Sequence, residues 1–197
     1  MRTRSQNGVR ILWGAALLLA AFLPAALALP ARGQELRKLD FVQDYLKWTA
    51  LYKDPVFSVT HGKRLVRTYM NAPAWDEWQR YQKAPEGSPA KLLSFPPGSL
   101  VVKDSWENVD GKPGKRAYLF VMRKEAANAK PEAGDWYWAI ATPDFRVLRW
   151  EGGIFEGYAG NVQYCINCHK LVEGNDFFFG SPDKLPKKEE KPSGGGY

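Results

Sequence analysis

Hydrophobic and polar positions alternate through the middle of the chain. From Ser99 to Trp106, Leu100 and Val102 fall on one side while Val101 and Lys103 fall on the other. That is the two-residue period of a strand. Arg116 to Lys124 repeats it, with Tyr118, Phe120 and Met122 opposing Leu119 and Val121. Trp136 to Ala141 reads as a third strand and Phe145 to Trp150 as a fourth. Pro96-Pro97-Gly98 marks a turn before the first. Asn108 to Lys115 reads as a hairpin loop, and a Gly/Pro/Ala-rich loop runs to Gly134. Short connections between consecutive strands predict an antiparallel meander. Arg64 to Asn71, partly β-branched and aromatic, adds a strand ahead of them.

The period lengthens on either side. Phe41, Val42, Tyr45, Leu46 and Trp48 predict an amphipathic helix over Leu39 to Tyr52, ended by Lys53-Asp54-Pro55. Trp75, Trp78 and Tyr81 predict a short helix over Ala74 to Lys83, with Pro73 at its start; packing explains this aromatic stripe. A last helix is expected over Asn161 to Leu171. The expected class is α+β: a mostly antiparallel sheet of about four or five strands with packing helices, and a C-terminal helix that carries the chain's two cysteines.

The ends differ from this body. Residues 1–34 have a basic start (Arg2, Arg4, Arg10), an apolar run from Ile11 to Leu29 and a small-x-small site at Ala26-Leu27-Ala28, the marks of an export signal. The run is nearly long enough for an uncleaved anchor, but Pro24 and the Ala-x-Ala site favour cleavage. The arginines are not adjacent, so a twin-arginine signal is not supported. Residues 35–181 form the expected folded domain, large enough for one core. Residues 182–197, with Lys-Lys-Glu-Glu-Lys-Pro-Ser-Gly-Gly-Gly, lack apolar periodicity and are expected to be disordered. The formal charge of +7 falls to +3 once the four arginines before residue 35 are set aside. An excess this small gives no argument for nucleic acid.

Tyr164-Cys165-Ile166-Asn167-Cys168-His169 changes the picture most. Cys-x-x-Cys-His reads as a c-type haem attachment site. Each thiol can add across one haem vinyl group, and the adjacent histidine can ligate the iron. A thioredoxin-like pair would open a helix early in a βαβ unit, and no such unit follows. A structural zinc site needs four ligands, and no second cluster exists. A plain disulfide does not require His169. Export suits the haem reading, since this attachment is made in the periplasm or an equivalent compartment. The second histidine, His61, is a candidate sixth ligand, although beside Gly62 and Lys63 it reads as a surface or structural residue. Met122 and Met70 are further candidate ligands, although strand methionines are usually core. Arg64 and Arg67 are candidates to pair with haem propionates; Trp136 and Trp138 share a strand face and are candidate pocket walls. Seven of the eight tryptophans follow the leader.

The motif order argues against two haem folds. A class I cytochrome c has its motif near the start and a methionine downstream, and no methionine follows His169. A four-helix cytochrome c′ lacks strand periodicity of the kind seen at 98–150.

Pro97-Gly98-Ser99-Leu100-Val101-Val102-Lys103-Asp104, Tyr118 to Lys124, Gly134-Asp135-Trp136, and Cys165 to Lys170 with Asn175-Asp176-Phe177-Phe178-Phe179 together resemble the cytochrome P-460 / cytochrome c′-beta family, over roughly residues 60–180. The resemblance implies one covalent haem c on Cys165 and Cys168, His169 as proximal ligand, an open sixth position and a homodimer. It also implies a choice. Cytochrome P-460 proper joins a lysine to a haem meso carbon and oxidises hydroxylamine, passing electrons to a periplasmic acceptor cytochrome. Cytochrome c′-beta lacks the crosslink and binds NO under a phenylalanine cap. Lys103 matches the crosslinking lysine. Phe120 falls where hydroxylamine-oxidising members carry a glutamate, and a phenyl ring is no base; Glu125 or Glu107 are the alternative carboxylates. NO binding is therefore the expected function, with hydroxylamine oxidation as the alternative and pure electron transfer, with His61 or Met122 on the iron, as the third.

Overall fold

The computed structural model describes residues 36–180. The export signal expected at 1–34 and the tail expected at 182–197 lie outside the described residues.

The strands are β1 (Thr49–Ala50), β2 (Val56–Ser58), β3 (Arg64–Met70), β4 (Leu100–Val109), β5 (Lys112–Lys124), β6 (Trp136–Ala141), β7 (Arg149–Trp150), β8 (Gly153–Ile154) and β9 (Glu156–Gly157). Among the described residues, seven strands make one antiparallel sheet in the order β1-β3-β4-β5-β6-β9, with β2 also pairing β3. The sheet therefore exceeds the four or five strands expected. The extra members are two- and three-residue pieces, too short for alternation to register. β7 and β8 form a separate ribbon.

Alternation divides two cores. Val102, Leu119, Val121, Tyr69 and Tyr137 pack on one face under Leu39, Val42 and Tyr45. Met70, Val101, Met122, Trp136 and Trp138 pack on the other, with Trp78, Ile166 and Phe178. A one-residue slip in any central strand would exchange these sets.

Three expectations need correction. Leu39 to Tyr52 is not one helix: it forms 3-10 turns at Asp40–Val42 and Tyr45–Lys47, then β1. Leu39, Val42 and Tyr45 are fully buried at a spacing of three, which is the period of a 3-10 turn rather than 3.6. The loop expected at Asn108 to Lys115 is mostly strand. The connection is Asp110-Gly111, with φ of 50° and 81°, the Asp-Gly pair favoured in two-residue hairpins because both positions need positive φ. The strand expected at Phe145 to Trp150 is broken: Phe145 has φ 70°, Arg146 and Val147 make only single bridges to Lys38 and Ala141, and Arg149–Trp150 alone forms a strand, paired with β8.

Helix α1 (Ala72–Lys83) begins two residues before the expected start, and the Asn71 side chain accepts from the Ala74 amide as its N-cap. The expected Asn161 to Leu171 helix is a composite. A 3-10 turn at Gly160–Val162 leads into α2 (Gln163–His169), and a further 3-10 stretch spans Lys170–Asn175.

Candidate functional site: a cavity between sheet and motif helix

Cys165, Cys168 and His169 all lie on α2. Spacings of three and four residues bring them to one helical face. That face lines a cavity of about 1060 Å³ against the sheet, just above the range of about 300–1,000 Å³ usual for small-molecule sites.

Two rows of paired residues floor the cavity. Thr68, Lys103, Phe120 and Ile140 are successive partners across β3, β4, β5 and β6; Val101, Met122 and Trp138 form the row beside them. All seven line the cavity. Lys103 and Phe120, singled out on separate strands in the sequence, are thus directly paired neighbours.

His169 is 8% exposed and its Nδ1 lies 2.7 Å from the Phe177 carbonyl oxygen. A carbonyl only accepts, so Nδ1 carries the hydrogen and Nε2 is the bare nitrogen, as in a histidine set to ligate a metal. Burial, then nearby Lys103, pushes His169 down to about 4, so the ring is neutral at pH 7. The Trp138 ring packs edge-on to it, centroids 4.8 Å apart. Cys165 and Cys168 are free thiols, and burial pushes the Cys165 thiol up. Burial pushes the Lys103 amine down to about 8.

His61 is the largest departure from the sequence reading. It is neither a surface residue nor a remote structural one. The turn between β2 and β3, with φ of 79° at Gly62 and 54° at Lys63, brings it into the cavity lining. Ser58 Oγ sits 2.7 Å from its Nδ1, and Lys103 Nζ 3.3 Å from its Nε2. Its ring lies 4.8 Å from Phe120 and 6.4 Å from His169, centroid to centroid. Burial, then Lys103, pushes its pKa down to about 2.

Other candidates separate. Arg64 lines the cavity with its guanidinium 4.9 Å over the Tyr118 ring. Arg67 does not: three residues on, it has alternated to the other face, where Nε donates to the Tyr52 carbonyl. Met122 lines the cavity, whereas Met70 is fully buried outside it. Trp138 is a wall, but Trp136 turns its Nε1 to Asp176. Neither alternative carboxylate reaches the site. Glu107 is exposed, and Glu125 is taken by Arg123 and Tyr158. Among the described residues, no Asp or Glu lines the cavity.

These residues fit a large, flat, mostly apolar group. Among the described residues, five of the eight large exposed hydrophobics (Phe57, Val59, Trp150, Tyr164 and Leu171) line this one cavity. Such clustering marks a surface that something covers. Two free thiols and a metal-ready imidazole on the facing helix suit a thioether-linked haem.

The family model for cytochrome P460 matches residues 42–180. The chain belongs to the cytochrome P460 family. Membership implies a covalently bound haem and makes this chain a haem protein, in agreement with the donor set on α2. No curated protein matches the chain.

Proposed function

We propose that this cytochrome P460 family member holds one haem c by thioethers to Cys165 and Cys168, with His169 as proximal ligand, and binds NO or a related small nitrogen oxide at the sixth position. When bound, the haem supplies an iron with affinity for such ligands. The chain's own residues do the rest. Val101, Phe120, Met122 and Trp138 would exclude water, the Phe177 carbonyl orients His169, and Arg64 would pair with a propionate. Exported protein would meet its ligand in the periplasm. The observation that carries the preference for binding over oxidation is the cavity lining: among the described residues Phe120 lines it and no carboxylate does. The resemblance implies that oxidising members use a carboxylate here to take up protons from the substrate.

One observation favours a second reading, hydroxylamine oxidation with Lys103 joined to a haem meso carbon and electrons leaving to an acceptor cytochrome. Lys103 lines the cavity and burial depresses its pKa to about 8, which makes a neutral, nucleophilic amine accessible.

Titrating CO and then NO into the dithionite-reduced holoprotein tests the main reading. A Soret shift saturating at one ligand per haem is expected. A spectrum unchanged by both ligands would overturn it.

A further inference from the structure

We propose that His61 is an alternative sixth ligand of the haem iron, with its Nε2 exchanging between Lys103 and the metal. The inference rests on the haem assignment above and concerns what holds the sixth position before an external ligand arrives.

Four observations converge. First, His61 and His169 both line the cavity, with ring centroids 6.4 Å apart and ring planes at 83°. A metal–imidazole bond is about 2.0–2.1 Å and the ring centre lies about 1.1 Å beyond the nitrogen, so two imidazoles on opposite sides of one metal have centroids about 6.3 Å apart. A distal histidine that only hydrogen-bonds an iron-bound molecule would need a wider span, to leave room for that molecule.

Second, the two rings are anchored alike. His169 holds the Phe177 carbonyl with Nδ1, and His61 holds Ser58 Oγ with Nδ1. Each therefore leaves Nε2 directed away from its anchor. Orientation by the opposite nitrogen is the usual device for a ligating histidine.

Third, the Nε2 of His61 has a second partner within reach. Lys103 Nζ lies 3.3 Å away, and an amine N–H pointing there uses the lone pair that a metal would need. The two partners are mutually exclusive. With His61 on Lys103, the arrangement in this structure, the sixth position would be open. With His61 on iron the position is closed, and an external ligand must wait for it to leave.

Fourth, the competing protein ligand is poorly placed. Met122 lies in the packed row between Val101 and Trp138 and belongs to the core cluster. Its thioether would have to leave that packing to reach a metal. His61 sits on a short turn and already projects into the cavity.

The test is spin state. Ferric holoprotein is compared by visible and electron paramagnetic resonance spectra as wild type, His61→Ala and Lys103→Met, with free imidazole added back to His61→Ala. The expected results are a low-spin bis-imidazole signal in wild type or in Lys103→Met, larger in Lys103→Met because Nε2 is released. The signal should be absent in His61→Ala and restored there by imidazole. CO binding to the ferrous form should be several-fold faster in His61→Ala. Wild-type and Lys103→Met spectra that are both wholly high-spin would overturn the proposal, as would a low-spin signal that persists in His61→Ala. Circular dichroism and intact mass confirm that each variant is folded and carries haem. Wild-type protein without covalent haem would sink the haem assignment itself. Covalent haem with a spin state indifferent to His61 would sink only this inference.

Discussion

Nδ1 of His169 hydrogen-bonds the carbonyl oxygen of Phe177, eight residues along the chain, at 2.7 Å. The carbonyl points there because Asp176 and Phe177 are consecutive left-handed residues, φ 51° and 61°, a conformation disfavoured for non-glycine side chains. The Asp176 carboxylate holds the bend in place. It accepts from Lys124 Nζ, the Phe95 amide and Trp136 Nε1.

Lys124→Met follows directly. It leaves Asp176 buried without its cation, which should cost about 3–5 kcal/mol in denaturant unfolding. A slackened Phe177 carbonyl also makes His169 a weaker donor, so the haem reduction potential should rise. A variant that unfolds earlier but keeps the wild-type potential would separate the bend from the ligand.

Cys165→Ala and Cys168→Ala should each leave haem attached by one bond, and the double variant should release haem to acidified organic solvent. Intact mass after denaturation reads both. Retained covalent haem in the double variant would point to another attachment, with Lys103 the first residue to examine.

Phe120→Ala removes the ring between Lys103 and Ile140 on the cavity floor. The ring is only partly buried, so the stability loss should fall near or below the low end of the range of about 3–5 kcal/mol for core phenylalanines. NO and CO association by flash photolysis should quicken. Unchanged rates would remove Phe120 from the ligand's path.

A pH effect is expected on the opposite face of the sheet. Asp104 is 0% exposed and is paired with Arg116 and the Tyr45 hydroxyl. Burial raises it from 3.8 to about 7. The native state thus keeps a proton that the unfolded chain loses between those values, so this group's stabilising contribution is full below pH 3.8 and is lost as pH rises through 7. Arg116→Leu removes the cation and raises the native pKa further. Its loss of stability, by urea unfolding, should be larger at pH 8 than at pH 5; an equal loss at both would contradict the pairing.

Much of this fold was legible because burial follows period. β4, β5 and β6 bury alternate residues in two different cores, so Val101 and Val102 or Val121 and Met122 disclosed their faces in the sequence. Asp110-Gly111 was legible too, as a two-residue hairpin signal, but was absorbed into a longer loop. Leu39, Val42 and Tyr45 misled because a three-residue spacing fits both a helix stripe and a 3-10 turn over so short a run. Cys165, Cys168 and His169 were plain from spacing alone, since a local motif carries its own geometry. His61 was not. Its place depends on a turn folding back over the sheet 42 residues before Lys103, its partner in space, and no local pattern encodes that. The one available signal was that His61 is the only histidine besides His169.

The visible spectrum of the purified holoprotein, oxidised and then dithionite-reduced, tests the central claim most directly. The account predicts an ordinary c-type haem, with a ferrous Soret band at the usual position that shifts when NO is added. A strongly red-shifted ferrous Soret band would mean a modified macrocycle. It would make Lys103 the expected crosslink and contradict ligand binding in favour of hydroxylamine oxidation.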